Sequence, residues 1–209
     1  GILGPNASGK TTLIKNLSGL LKPTSGKISV GGKDLKLHSR GDLAKTISFV
    51  PQEEESFLSF SVQQLVLMGR APYLGIWGFE EENDRQKVRE AMEATDVWNL
   101  RDRNFHDLSG GERQRVIVAR ALAQETSILL MDEPTSHLDI HYQMDILELC
   151  ARLNKTEKMT IVLSLHDLHL ASLFCDRVLL LKEGRLVTMG PPSKVITDQN
   201  IQAVFGVTF

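Results

Sequence analysis

Cysteine is scarce: Cys150 and Cys175 are the two in 209 residues. That excludes a scaffold stapled by several disulfides and fits ordinary buried or partly buried thiols of a reducing compartment. Long hydrophobic runs are also missing. The longest, such as residues 128–131 and 178–181, are strand-sized and far short of the ~20 residues that cross a bilayer. Neither sign of charge dominates, with 24 Lys and Arg against 26 Asp and Glu and a formal net charge of −2. Without a basic field, nucleic acid is not expected as a partner. There is no signal peptide, internal repeat, low-complexity stretch or flexible linker. The chain opens at Gly1, not Met, directly on a strand, so the native N-terminus is expected to lie upstream.

What is present suits a single domain over residues 1–209, since 42% of the chain is hydrophobic and 24% charged. Residues 4–12 read Gly4-Pro5-Asn6-Ala7-Ser8-Gly9-Lys10-Thr11-Thr12. This is the phosphate-binding pattern in which Gly4 and Gly9 bracket four residues ahead of Lys10 and Thr11. Its chemistry requires these types. Glycines let the backbone turn and aim N–H groups at phosphate oxygens, and the following helix adds its positive end. Lys10 would supply a full charge to the β- and γ-phosphates of a nucleoside triphosphate, and Thr11 offers a hydroxyl to Mg²⁺. Ile2 and Leu3 read as the end of a buried strand. Leu13, Ile14, Leu17, Leu20 and Leu21 follow at helical spacing. Ala7 tolerates most loop geometries but not positive φ.

Strands are expected at 27–30, 46–50, 127–131, 160–165, 178–181 and 186–189, with helices near 142–153, 168–174 and 194–205. Helical patterns fill 61–124, with Val62, Leu65, Val66 and Met68 as one helical segment, broken by Gly, Pro and aromatic residues at 69–78. Strands alternating with helices predict an α/β fold with a mostly parallel sheet. The apolar run 128–131 ends in Asp132 and Glu133, where ligands of parallel sheets bind. Asp132 suits Mg²⁺, and Glu133 suits orienting an attacking water. His166 emerges at an equivalent strand end. Ser109 reads as a helix N-cap, with Gly110 and Gly111 permitting close backbone approach. His137 and His141 have metal-ligand spacing but lack a third ligand; His38 and His106 read as surface residues.

The order and spacing of these motifs over nearly the whole chain resemble the nucleotide-binding subunit of an ATP-binding cassette (ABC) transporter. The resemblance implies a P-loop NTPase core with a helical subdomain at about 56–124, and N-terminal antiparallel edge strands cut away. It gives residues 4–12 the nucleotide-binding role. Gln52 would sense Mg²⁺ and water, Glu133 would be the catalytic glutamate and His166 the switch histidine. Ser109, Gly110 and Gly111 of Leu-Ser-Gly-Gly-Glu would cap ATP held by a second copy in a head-to-tail dimer. Ser136 to Asp139 would form the loop crossing that interface. Transmembrane permease subunits, and through them a substrate-binding protein, are the implied partners, with the chain peripheral on the cytoplasmic face of the cell membrane. The segment 61–74, Leu138-Asp139-Ile140 and Gln143 are similar to importers of iron–siderophore complexes, haem and cobalamin. A soluble cassette ATPase of iron–sulfur cluster assembly shares the ATP motifs and is the alternative. The family's adenine-stacking aromatic would precede Gly1, so weakened nucleotide binding and lower stability are expected of this span.

Overall fold

The computed structural model describes residues 1–52, 60–74, 79–136 and 138–207. The sheet is assembled from short apolar strands. β1 (Ile2–Leu3) leads through a loop to α1 (Lys10–Leu17), and a two-stranded hairpin follows, β2 (Ser29–Val30) with β3 (Lys33–Asp34). After α2 (Arg40–Ala44) comes β4 (Ile47–Val50). Among the described residues, the α-helices α3 (Val62–Leu67), α4 (Glu82–Ala94) and α5 (Gly110–Ala123) lie between it and β5 (Ile128–Met131). Then come α6 (Ile140–Glu157), β6 (Thr160–Leu163), α7 (Leu168–Phe174), β7 (Val178–Lys182) and β8 (Arg185–Gly190). The chain continues through α8 (Pro192–Val195) and α9 (Asp198–Phe205).

β5 pairs in parallel with β4 and β6, and β1 pairs in parallel with β7. A parallel bridge between Ile2 and Ser164 joins the two halves, giving the order β4-β5-β6-β1-β7-β8. Only the β7–β8 hairpin is antiparallel in this order. The two faces of the sheet follow the alternation of side chains along a strand. Leu129 and Met131 join the large core that also holds Val116, Ile117 and Val118 of α5 and Ile146 and Leu147 of α6. Leu130 turns the other way, to Ile2, Ile14, Ile47 and Leu181. β5 is therefore covered on both faces, which is why it reads as a continuous apolar run. Emptying one such site, as in Leu129→Ala, costs about 2–5 kcal/mol.

Register fixes the site. Val50, Met131 and Leu163 stand side by side at the carboxyl edge. The residues that follow, Gln52, Asp132-Glu133 and His166, are delivered to one rim together with the loop after β1.

Two expectations need correction. The last helix is not continuous over 194–205: Ile196 leaves helical geometry and Thr197 caps α9 through its hydroxyl, which accepts from Asn200 N–H at 3.3 Å. Asn200 Nδ2 in turn donates to Val195 O at 2.9 Å and closes α8. Polar side chains bonding local backbone outcompete helix continuation here. In α3, Val62, Leu65 and Val66 are buried, but Met68 lies past the helix end and is 37% exposed. Residues 75–78, part of the break seen at 69–78, lie outside the described residues.

Candidate functional site

The loop after β1 turns at residues with left-handed backbone. Gly9, the N-cap of α1, holds φ 99°, which glycine adopts without a Cβ penalty. Against the sequence expectation, Ala7 also holds positive φ, 60°, at a cost of about 1–2 kcal/mol that the loop's bonds must offset. The Ser8 N–H donates to Pro5 O at 3.1 Å, and Gly184 N–H donates to Ser8 O at 2.9 Å, so the β7–β8 turn braces the loop. Lys10 folds back under it and donates from Nζ to Gly4 O at 3.0 Å and Pro5 O at 3.4 Å.

Glu133 stands at the centre. Its Oε1 is 2.7 Å from His166 Nε2 and 3.6 Å from Lys10 Nζ. Its Oε2 accepts from Gln52 Nε2 at 2.7 Å and from Ser136 Oγ at 3.3 Å. The side chain is only 8% exposed; a carboxylate so buried requires a nearby cation and hydrogen-bond donors, and these four residues supply them. Its backbone is held at φ 50°, a strained geometry that surrounding bonds must enforce. Ser164 does so. Its Oγ accepts from Glu133 N–H and donates to Asp132 Oδ1, both at 2.8 Å. Sequence reasoning missed Ser164, although a serine inside the apolar run 160–165 was the available signal.

Asn6, Ala7, Ser8, Gly9, Lys10, Thr11, Thr12, Gln52, Glu133, Ser136 and His166 line one cleft of about 640 Å³. Gly4 and Pro5 lie beneath it as acceptors for Lys10. Asp132 is buried at 1% exposure behind Glu133, held by Ser164. Ser109, Gly110 and Gly111 do not line this cleft. They open α5, where Ser109 and Glu112 form a capping box: Ser109 N–H donates to Glu112 Oε2 at 2.8 Å, and Glu112 N–H to Ser109 Oγ at 3.4 Å. The Ser109 N–H holds the Glu112 carboxyl below the usual glutamate range, with the Ser109 hydroxyl next in effect. His137 lies outside the described residues. His141 is exposed beside Asp145, and among the described residues no group of three or more His, Cys, Asp or Glu would hold a metal ion. His106 is exposed, whereas His38 is half-buried.

Residues 1–136 match the family described as ABC transporter. The chain belongs to the ABC transporter family. Among its relatives is the ferric enterobactin transport ATP-binding protein FepC of Escherichia coli (strain K12). The two are 37% identical over 206 residues, covering 99% of this chain and 76% of FepC. The cobalamin import ATP-binding protein BtuD of Halobacterium salinarum is 40% identical over 205 residues, 98% of this chain but 51% of BtuD. Among solved structures, one reported as an inward-facing ABC transporter assigned to the metal-chelate type has a TM-score of 0.88 and 33% identity. It covers 99% of this chain and 77% of that one. A dimeric ATP-binding cassette in a post-hydrolysis state with ADP and Pi has a TM-score of 0.80 at 29% identity, over 91% of this chain and 84% of that one. The fold is thus that of the ABC ATPases, and the protein is an ATPase of this class with its strand-end rim at the carboxyl edge of a parallel sheet. Among the described residues, no helix is long and apolar enough to cross a membrane.

Proposed function

We propose that this chain is the ATP-hydrolysing subunit of an importer for metal chelates of the iron–siderophore, haem or cobalamin type. The observation that carries the ATPase reading is the single Glu133 carboxylate reached by Lys10, Gln52 and His166 in a cleft walled by the loop of residues 6–12. The cargo class is supported by the relatives, whose names specify ferric enterobactin and cobalamin.

The cleft fits a triphosphate. Ser8 Oγ is buried with no hydrogen-bond partner among the described residues. The Lys10 ammonium has two backbone carbonyls and one carboxylate oxygen around it, a site that phosphate oxygens would complete. On ATP binding, Lys10 exchanges Glu133 for phosphate oxygens, and the loop N–H groups and the N-terminal end of α1 take the remaining charge. Glu133, released from Lys10, orients and polarises the water that attacks the γ-phosphorus. Gln52 and His166 hold that carboxylate in place. Thr11, Gln52 and Asp132 offer only oxygen ligands, the donor set a hard cation takes, and would hold Mg²⁺, which neutralises charge on the phosphates.

Ser109, Gly110 and Gly111 would meet ATP bound by a second copy of the chain, because they open a helix away from their own cleft. Permease subunits would dock on the helical subdomain at about 56–124 within one domain, near segment 61–74, placing the chain peripherally on the cytoplasmic face of the membrane. A substrate-binding protein would act through those subunits.

The test is uptake in the source organism with this gene deleted, comparing labelled ferric siderophore, haem and cobalamin. Loss of one cargo, restored by the native gene but not by its Lys10→Ala version, is the expected result. Normal uptake of all three, with no paralogue compensating, would overturn the cargo class.

A further inference from the structure

Gly111 is buried at the start of α5, and a Cβ added to it would lie 2.6 Å from Cγ of Tyr142 and 2.7 and 2.8 Å from its Cδ atoms. A Cβ almost equidistant from these three atoms would sit over the ring, so the bare backbone of Gly111 faces the ring where no side chain would fit. Tyr142 occupies the first turn of α6, whose N-cap is Asp139. One turn further along α5, the Arg115 guanidinium lies 5.3 Å from the centroid of the same ring, and Arg115 Nη1 is 3.7 Å from Asp145 Oδ2. The first turn of α6 is itself tied to the segment that follows Glu133. Gln143 Nε2 donates to Leu138 O at 2.8 Å. Nearer Glu133, Ser136 N–H donates to Glu133 O at 3.1 Å and Ser136 Oγ to Glu133 Oε2. The ring is therefore a contact between the Ser109–Gly111 end of α5 and the element that begins just beyond Glu133.

We infer that Tyr142 is a positioning residue for ATP hydrolysis: its ring is the seat on which Gly111 rests, and it fixes where Ser109, Gly110 and Gly111 stand relative to the Glu133 cleft. The inference rests on the proposal that these three residues cap ATP bound by another copy. Three features favour the aromatic face. A rigid planar ring accepts a bare backbone at close range, Gly111 supplies no side chain of its own to pack, and the Arg115 cation stacks on the ring from the same helix. Tyr142 is not among the residues lining the cleft, so replacing it is expected to change nucleotide binding by a single copy little and pairing of two copies strongly.

The experiment places Tyr142→Ala, Tyr142→Leu and Tyr142→Phe in a Glu133→Gln background. Affinity for a fluorescent ATP analogue and ATP-dependent dimerisation, by analytical ultracentrifugation, are measured on each. Turnover is measured in the same three variants with Glu133 intact. Tyr142→Ala is expected to bind the analogue within twofold of its parent while dimerising at least tenfold more weakly, and to lose kcat with KM little changed. Tyr142→Phe is expected to restore both. Should Tyr142→Ala not fold, Tyr142→Leu keeps the volume without the flat face and is expected to show the same split. Dimerisation of a folded Ala or Leu variant equal to its parent would overturn the inference while leaving the ATPase reading intact. Failure of the Glu133→Gln parent itself to dimerise with ATP would instead overturn the reading on which the inference rests.

Discussion

His166 Nε2 lies 2.7 Å from Glu133 Oε1, although the two residues leave neighbouring strands 33 positions apart. The pair exists because β5 and β6 end in register, so that each delivers its next polar residues to the same rim. Glu133→Gln keeps the side-chain shape and removes the base. Steady-state ATP hydrolysis is expected to fall about 10²–10⁴-fold, with an ATP-bound dimer accumulating on size-exclusion chromatography. An undiminished rate would remove Glu133 from its proposed role.

Lys10 bears on both ATP and Glu133. Its Nζ is 3.6 Å from Glu133 Oε1 and donates to the Gly4 and Pro5 carbonyls. Lys10→Ala deletes the charge offered to phosphate and strips a nearly buried carboxylate of its cation. Titration with a fluorescent ATP analogue is expected to show affinity lower by about tenfold or more, one decade being 1.4 kcal/mol. Lys10→Arg is expected to recover little, because a planar guanidinium does not fit the space of a compact ammonium. Unchanged affinity in Lys10→Ala would separate this residue from nucleotide binding.

The order of strands and helices was legible because the signals are local. Apolar runs of strand length, a glycine-bracketed loop ahead of Lys10 and acids at a strand end all declare themselves over a few residues. Contacts across the sequence were not. Ser164 braces Asp132 and Glu133 from the residue just past β6, and no spacing rule connects positions about thirty apart. The seat of Gly111 on Tyr142 is likewise invisible, since a glycine says that something comes close but not what. The break before α9 is hidden because Thr197 and Asn200 fit a helical run as readily as they fit the caps they form. Position 70 lay in a stretch read as a break between helices, yet Arg70 is 1% exposed.

That arginine supplies a stability prediction. Arg70 Nε donates to Asp84 Oδ1 at 2.9 Å, and Nη1 donates to Ala123 O and Glu125 Oε2, each at 2.7 Å. Its guanidinium lies 4.1 Å from the centroid of the Tyr73 ring. One side chain thus ties the 3-10 turn after α3 to α4 and to the end of α5. Asp84 is held below the usual carboxylate range by the Glu81 N–H first and by Arg70 second, against burial. Arg70→Met leaves that buried carboxylate and the Ala123 carbonyl without their partner. The expected loss is about 3–5 kcal/mol, read as a lower urea midpoint at unchanged slope. Arg70→Lys is expected to recover only part of it, because an ammonium cannot make the forked bonds. A loss below about 1 kcal/mol would mean that water reaches these groups once the arginine is gone.

Glu112 offers a test of sign. Its carboxyl is held low chiefly by the Ser109 N–H, then by the Ser109 hydroxyl, with Arg103 and Arg115 adding attraction and burial opposing. A group whose folded pKa is depressed contributes stability above its unfolded value, about 4.3 for glutamate, and loses it as pH falls through the folded value. Glu112→Gln keeps an acceptor for the Ser109 N–H but does not titrate. The wild-type chain is therefore expected to melt above Glu112→Gln at pH 6. The advantage is at most about 1 kcal/mol for a partly exposed cap, or roughly 2–4 °C in Tm at this chain length. That advantage is expected to shrink towards zero as the melts are repeated down to pH 3. The other carboxylates titrate in both proteins and cancel in the difference. A gap that stays constant with pH would show that the cap at Ser109 works through shape and neutral hydrogen bonding, with no share from the charge on Glu112.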